Sequence, residues 1–189
     1  MEILDNNKLN IEKLSNTLIL GSTGSGKSVM CENIINYCIS KNYNICLVDP
    51  KQIEYFEYES YSNLSYKICN NKFDYDNLAS FIENNNLNDK LYLFIDELAD
   101  VLADSKRLVE AISLKKDNIC IIACCQNPYI LPNELIDSFD YEIVLHLLDK
   151  LEGSLETKLS TKDYKIGEFV IKDIKTCEET NKINTLCIK

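Results

Sequence analysis

Nearly continuous apolar runs alternate with segments of helical periodicity along this chain. Five runs are expected to form strands: 17–20, 44–48, 91–95, 119–124 and 141–147. The segments between them predict helices at 27–41, 74–85, 106–115 and 133–139. Apolar strands separated by helices are typical of a parallel sheet with helices on both faces, so we predict an α/β fold with a mostly parallel central sheet.

The rest of the chain has weaker patterns. Residues 52–72 are rich in Tyr, Ser and Asn and predict an excursion with short strands, and the tail adds two candidate strands at 167–173 and 184–188. Since no repeat or linker interrupts the pattern, we expect a single domain at 15–189. Residues 1–14 are expected to form a lead-in arm.

A glycine-rich segment joins the first strand to the first helix. Gly21-Ser22-Thr23-Gly24-Ser25-Gly26-Lys27-Ser28 matches G-x-x-x-x-G-K-[ST] at every fixed position. Glycines allow the backbone N–H groups to surround phosphates at a helix N-terminus. Lys27 would reach the β- and γ-phosphates and Ser28 would ligate Mg²⁺, with Val29 following in the helix. A chance glycine-rich turn is the alternative, but the strand before the segment and the helix after it favour nucleoside triphosphate binding.

Polar residues end the next two strands. Asp96 follows strand 91–95 and suits the Mg²⁺ shell, while Glu97 can polarise a water molecule for attack on the γ-phosphate. The alternative for this pair is a helix N-cap, since 98–102 looks helical. Gln126 follows strand 119–124. It is either a sensor of the γ-phosphate or an ordinary polar residue at a strand end, and its position alone does not distinguish these two roles.

Composition narrows the functional classes. The formal net charge is −10 and Arg107 is the only arginine, so any contact with DNA has to be local, such as a basic lining inside a ring. Nine cysteines without a C-x-x-C pair, and one histidine, disfavour a zinc site or a disulfide framework. Free thiols, the acidic N-terminus and the lack of an apolar run of about 20 residues lead us to expect a cytoplasmic protein.

Four segments together resemble one family, the FtsK/SpoIIIE-type motor ATPases of the FtsK–HerA group. The loop just described resembles the family's phosphate loop, and two further segments match its motifs D-P-K, at 49–51, and D-E-L-A-D, at 96–100. The fourth segment, Cys125-Gln126-Asn127-Pro128, is similar to the family's T-Q-R-P turn. Gly167-Glu168-Phe169-Val170 also resembles the family's G-D-M-L strand. The resemblance extends from about residue 15 to about residue 171.

The resemblance implies a RecA-like P-loop NTPase domain that forms a homo-oligomeric ring, commonly a hexamer. Such a ring hydrolyses ATP with Mg²⁺ and moves double-stranded DNA through its pore. Lys27, Ser28, Asp96 and Glu97 then correspond to nucleotide-binding and catalytic residues, and Gln126 to the γ-phosphate sensor. The resemblance assigns no firm role to Asp49 and Lys51 of D-P-K.

Two departures from the family pattern concern arginines. Family members offer an arginine before the fourth strand that reaches the neighbouring subunit's nucleotide, and Lys115 stands at that place here. Activation in trans is therefore weaker, performed by Arg107, or absent, because lysine lacks the planar guanidinium. Asn127 replaces the arginine of T-Q-R-P. Since this sequence shows neither a membrane segment nor a winged-helix DNA reader, we expect a bare motor domain or a motor that partner proteins target.

Three functions remain open at this level. The first is a DNA translocase in plasmid transfer, phage packaging or segregation. The second is a type VII secretion-like ATPase acting on proteins, which the net negative charge favours. The third is a nucleotide-binding regulatory module without motor activity, against which the intact Asp96–Glu97 pair argues.

Overall fold

The computed structural model describes residues 3–5, 8–58, 60–69, 72–84, 90–114, 117–147, 161 and 163–184. Its strands are β1 Leu4–Asp5, β2 Lys8–Leu9, β3 Thr17–Leu20, β4 Asn44–Val48, β5 Leu64–Cys69, β6 Leu91–Ile95, β7 Ile119–Cys125, β8 Tyr141–Val144, β9 Glu168–Asp173 and β10 Ile183–Asn184. Its helices are α1 Lys27–Ser40, α2 Lys72–Asn84, α3 Leu98–Asp104, α4 Lys106–Ser113 and α5 Asn133–Ile136. None of the helices in these ranges is long and apolar enough to cross a membrane.

Eight of the strands form one sheet in the order β10-β9-β8-β3-β7-β6-β4-β5. The six strands from β8 to β5 are parallel, whereas β9 and β10 continue the sheet as antiparallel strands. This arrangement confirms the predicted α/β fold with a mostly parallel sheet. The predicted strand 167–173 is present as β9, whereas 185–188 of the last candidate strand lie outside the described residues.

Each face of the sheet has its own apolar core. On β7, Cys120, Ile122 and Cys124 face the core that contains α1, and the alternate residues Ile121 and Ala123 face the core that contains α2–α5. The first core also buries Ile3, Leu9, Ile11 and Leu14 from the start of the chain. Burial on both faces explains why these strands have continuous apolar sequences.

The parallel register positions the carboxyl ends of the central strands along one edge of the sheet. Leu20 of β3 pairs with Cys125 of β7, and Val48 of β4 pairs with Ile95 of β6. The residues that follow these strands are therefore neighbours in space, although they are distant in sequence. Ligands of open parallel sheets bind at this edge.

Asn16 connects three strands at the opposite edge. Its side chain is buried, and its Oδ1 accepts a hydrogen bond from Ile121 N of β7 at 3.0 Å. Its carbonyl oxygen accepts bonds from Asp140 N at 2.8 Å and Tyr141 N at 3.2 Å, at the start of β8. The residue before β3 therefore satisfies main-chain groups on both neighbouring strands.

We expect Asn16→Ala to lower the free energy of unfolding by about 1–3 kcal/mol, because a buried N–H group would lose its acceptor. Urea denaturation measures this change. The control is Asn133→Ala at the exposed start of α5, for which we expect a change within about 0.5 kcal/mol. Equal changes in the two variants would contradict the role of Asn16.

Candidate active site at the carboxyl edge of the sheet

The phosphate loop between β3 and α1 requires glycine at two positions. Gly24 has φ 77° and Gly26 has φ 105°, which side chains other than glycine rarely adopt. A Cβ atom on Gly26 would also lie 3.2 Å from the main-chain nitrogen of Gly167. The G-x-G spacing thus allows both the curl of the loop and the close approach of a second segment.

Main-chain groups from distant segments hold the loop in place. Ser22 N donates to His146 O at 2.9 Å, and Gly167 N donates to Ser25 O at 3.1 Å. Sequence analysis did not single out His146 for this role, and its side chain takes no part in these bonds. The resemblance of 167–170 to the family's G-D-M-L strand was the available signal for Gly167, whose φ is 82°.

The side chain of Lys27 is buried against the main chain of the phosphate loop. Its Nζ donates to Gly21 O at 2.7 Å and to Ser22 O at 3.2 Å. The Ser22 and Ser25 hydroxyl oxygens are buried without a hydrogen-bond partner among the described residues. No side chain caps the N-terminus of α1, so the N–H groups of its first turn are available to an anion. A buried ammonium group, hydroxyl groups and a helix N-terminus together fit a polyphosphate.

The acidic pair lies at the end of β6. Asp96 N donates to Val48 O at 3.0 Å, which continues the ladder between β6 and β4. Glu97 is buried and occupies the N-cap position of α3, but its side chain makes no capping hydrogen bond. Its Oε1 instead accepts a bond from Gln126 N at 3.4 Å. The alternative of a helix cap therefore explains the backbone of Glu97 but not its carboxylate.

Burial and like charges disfavour ionisation of this pair. Burial raises the pKa of Asp96 to about 6, helped by Glu54 and Asp49 and opposed by Lys51. Burial also raises the pKa of Glu97, while the hydrogen bond from Gln126 N opposes the shift. Perturbed carboxylates at a sheet edge are typical of functional sites.

Gln126 joins the acidic pair to the phosphate loop. Its Oε1 accepts a hydrogen bond from the Thr23 hydroxyl at 3.0 Å, while its main-chain N–H faces Glu97. One residue thus contacts both halves of the site. The general pattern of a polar residue after β7 predicted its location, but not the partnership with Thr23.

The two D-P-K residues have different environments. Asp49 is fully buried after β4, and its Oδ2 accepts bonds from Glu54 N at 2.9 Å and Tyr55 N at 3.1 Å. Lys51 is half-exposed, with its Nζ 3.7 Å from Asp100 Oδ2 on α3. Asp49 therefore orders the segment that follows it, and Lys51 connects that segment to the helix after the acidic pair.

The remaining residues that the sequence predicted for the site do not all lie at this edge of the sheet. Ser28 is partly exposed and Val29 is half-exposed in the first turn of α1. Arg107 lies on α4 and forms a bidentate pair with Glu83 of α2, with the shorter contact at 2.7 Å. Lys115 lies outside the described residues. A trans-acting role for either cation stays a prediction.

The donors at this edge fit Mg²⁺ better than a softer metal. The hydroxyl of Ser28 and the carboxylate of Asp96 are hard oxygen ligands, and the buried Asp49 Oδ1 lacks a hydrogen-bond partner within the described residues. No group of three or more His, Cys, Asp or Glu side chains in those residues is arranged to hold a metal by itself. Mg²⁺ usually binds through one or two carboxylates together with phosphates and water, which agrees with this set.

Comparisons with known proteins give a family and several similar folds. The model of the family described as the central domain of the helicase HerA matches residues 5–185. No curated protein matches the chain. The genome packaging NTPase B204 from Sulfolobus turreted icosahedral virus 2, in complex with sulfate, is 16% identical with a TM-score of 0.69, over 90% of this chain and 96% of that one.

Two further solved structures are similar over most of this chain. The pCW3 conjugation coupling protein TcpA, in monomer form with ATPγS, is 18% identical with a TM-score of 0.70, over 96% of this chain and 62% of that one. The cytoplasmic domain of the Thermomonospora curvata type VII secretion ATPase EccC is 17% identical with a TM-score of 0.69, over 89% of this chain and 25% of that one. These likenesses confirm the predicted P-loop NTPase fold.

We expect Asp96→Asn to stabilise the metal-free protein at neutral pH by about 1–2 kcal/mol, since one pKa unit is worth about 1.4 kcal/mol before solvent screening. The folded-state pKa of Asp96 is raised to about 6. The folded protein therefore binds more protons than the unfolded chain between about pH 4 and that value, and stability falls as pH rises through this window. The gain should thus appear above pH about 6 and vanish below about 4.

Urea denaturation in EDTA at several pH values measures this effect. The control is Asp104→Asn, at the exposed end of α3, which should not alter the pH dependence. A stability difference between Asp96→Asn and the unsubstituted protein that stays constant with pH would contradict the raised pKa of Asp96.

Proposed function

We propose that this chain, which belongs to the family of the HerA helicase central domain in the FtsK–HerA group, is an ATP-hydrolysing motor that moves double-stranded DNA as a homo-oligomeric ring. The observation that supports it best is the connection of three elements by hydrogen bonds. Gln126 contacts Thr23 of the phosphate loop through its side chain and Glu97 through its main chain. A site that only bound a nucleotide would not need this connection.

The phosphate loop supplies binding. Lys27 Nζ is held by two neutral carbonyl oxygens, so a phosphate oxygen would offer it a stronger, charge-assisted partner. The N–H groups at the start of α1 add donors for the same anion. Binding energy is therefore concentrated at the phosphates, and the residues 21–29 act together as the ATP-binding segment.

Ser28 and Asp96 are the residues that would hold Mg²⁺. When bound, the metal supplies positive charge that neutralises the phosphate oxygens. The bound metal would also stabilise the ionised form of Asp96, which burial and the nearby Glu54 and Asp49 disfavour. Metal and nucleotide binding are thus expected to stabilise this edge of the sheet together.

Glu97 acts as the general base toward the attacking water. It is buried beside Gln126, whose N–H group fixes one carboxylate oxygen. Burial raises the pKa of Glu97, which makes the carboxylate a stronger base than a solvent-exposed glutamate. Its neighbour Asp96 remains available for the metal, so the two acids have separate tasks.

Gln126 acts as the sensor of the γ-phosphate. Its side-chain oxygen is engaged by Thr23, and its amide nitrogen could donate to a phosphate oxygen on the same side of the loop. A change at the phosphate would then reach Glu97 through the Gln126 main chain. The mechanism couples nucleotide state to the position of the base.

Similar folds favour DNA as substrate. B204 is a genome packaging NTPase and TcpA is a conjugation coupling protein. Both functions agree with a motor that moves DNA during packaging or transfer. EccC is a type VII secretion ATPase, and together with the net charge of −10 it favours a protein substrate as the second candidate. A regulatory module without turnover is the third, and the buried base argues against it.

A ring would let a neighbouring subunit add positive charge to that of Lys27 and Mg²⁺ at the γ-phosphate. Among the described residues, Arg107 is paired with Glu83 on the α2–α4 face, so within one subunit it is not directed to the phosphates. In a ring, Lys115 or Arg107 of the neighbouring subunit can supply the additional charge. The buried free cysteines are compatible with a reducing compartment such as the cytoplasm. Partner proteins would select the DNA that the motor moves.

We expect Glu97→Gln to lower ATP turnover by at least about 100-fold without weakening ATP binding, because it removes the base but keeps the shape. Lys27→Ala should abolish binding itself. Phosphate release and binding of a fluorescent ATP analogue measure the two effects. The exposed Glu110→Gln on α4 is the control and should turn over normally. Unchanged turnover in Glu97→Gln would contradict the assignment.

We expect double-stranded DNA to raise the ATPase rate several-fold at low salt, with the increase lost as salt rises, because phosphate contacts release counterions. Heparin serves as a control for any polyanion. If DNA has no effect at low salt, the protein substrate or the regulatory module becomes the better hypothesis. Stimulation by heparin equal to that by DNA would contradict DNA as the substrate.

A further inference from the structure

Asp49 has one carboxylate oxygen engaged and one oxygen free. Oδ2 accepts the N–H groups of Glu54 and Tyr55 at 2.9 and 3.1 Å. Oδ1 is buried and has no hydrogen-bond partner in the part of the chain that the structure describes. Since the residue is 0% exposed, bulk solvent does not reach it. A free buried carboxylate oxygen is costly and calls for a donor or a cation.

The register of the sheet places Asp49 beside Asp96. Val48 pairs with Ile95 in neighbouring parallel strands, and Asp49 and Asp96 are the next residues of each. The two strands are about 4.8 Å apart in such a sheet. In both strands the alternate residues preceding these acids belong to the core that contains α1, so both carboxylates continue on that face.

The same face contains the start of α1 and therefore Ser28. From the phosphate loop outward, the strand order β3-β7-β6-β4 places Gln126, Asp96 and Asp49 in succession. Asp49 is thus one strand farther from the loop than the expected metal ligand Asp96. This distance suits a contact through water better than direct coordination, and Mg²⁺ usually keeps several of its water molecules.

The nearest lysine along the chain does not bond the free oxygen of Asp49. The Nζ of Lys51 lies 3.7 Å from Asp100 Oδ2, and Asp49 Oδ1 has no hydrogen-bond partner among the described residues. A water molecule bound to a divalent cation would donate to this oxygen.

We propose that Asp49 is a positioning residue for Mg²⁺: when the metal binds, its Oδ1 would accept a hydrogen bond from a metal-bound water, while its Oδ2 holds the segment 50–58. This inference rests on the proposed ATPase function and assigns a role to the D-P-K aspartate. It also links metal binding to the conformation of a partly exposed segment, whose Ile53 is 69% exposed.

The test compares Asp49→Asn with Glu57→Gln, which removes an exposed charge from the same segment. Asparagine keeps an oxygen for the Glu54 and Tyr55 N–H groups but presents an NH₂ group that cannot accept a hydrogen bond from water. Mn²⁺ affinity is measured by electron paramagnetic resonance with a saturating non-hydrolysable ATP analogue. We expect a loss of about 10–100-fold in Asp49→Asn, the usual range for outer-shell partners, and none in Glu57→Gln.

Nucleotide binding in EDTA separates this role from a merely structural one. It should change less than about twofold in Asp49→Asn if the residue acts through the metal. An unchanged Mn²⁺ affinity in Asp49→Asn, or an equal loss with and without metal, would overturn the inference while leaving the ATPase proposal intact. Failure of the unsubstituted protein to bind any nucleotide would instead overturn the ATPase proposal.

A second measurement needs no variant and so does not depend on whether Asp49→Asn folds. Fixing Oδ1 should also fix the two bonds at Oδ2, so hydrogen exchange at the Glu54 and Tyr55 amides should slow when Mg²⁺ and nucleotide bind together. Nucleotide in EDTA should slow it less. Equal exchange under the two conditions would overturn the inference.

Discussion

The in-register parallel pairing of β3, β7, β6 and β4 is the constraint on which the site depends. It aligns the carboxyl ends of four strands, so that the phosphate loop, Gln126, Asp96 and Asp49 follow one another along a single edge. Apolar cores on both faces hold these strands in position. A shift of one residue in any strand would turn its terminal polar side chain to the opposite face.

The same edge is unfavourable without its ligands. Glu97 is buried and Asp96 partly buried near further acids, and the pKa of each is raised. Buried carboxylates of this kind reduce the stability of the folded state at neutral pH. Such strain is common at functional sites, and a bound cation would relieve it. The acidic edge of the sheet therefore favours the binding of a cation and lowers the stability of the metal-free protein.

Sequence reasoning succeeded where burial dictates the pattern and was less accurate where tertiary contacts end an element. The strand predicted at 91–95 is present with the same bounds as β6. The strand predicted at 141–147 ends at Val144, because the next residues turn their main chain to the phosphate loop, with His146 O accepting from Ser22 N. The helix predicted at 133–139 ends at Ile136.

Local sequence determined the phosphate loop, the acidic pair and the family, because these depend on residue type and short spacing around buried strands. Only the tertiary structure decided that Gln126 bonds Thr23 and Glu97, that Arg107 pairs with Glu83, and that Asp49 keeps one oxygen free beside Asp96. These contacts join segments far apart in the chain. They depend on which strands become neighbours, and no local pattern of apolar and polar residues specifies that order.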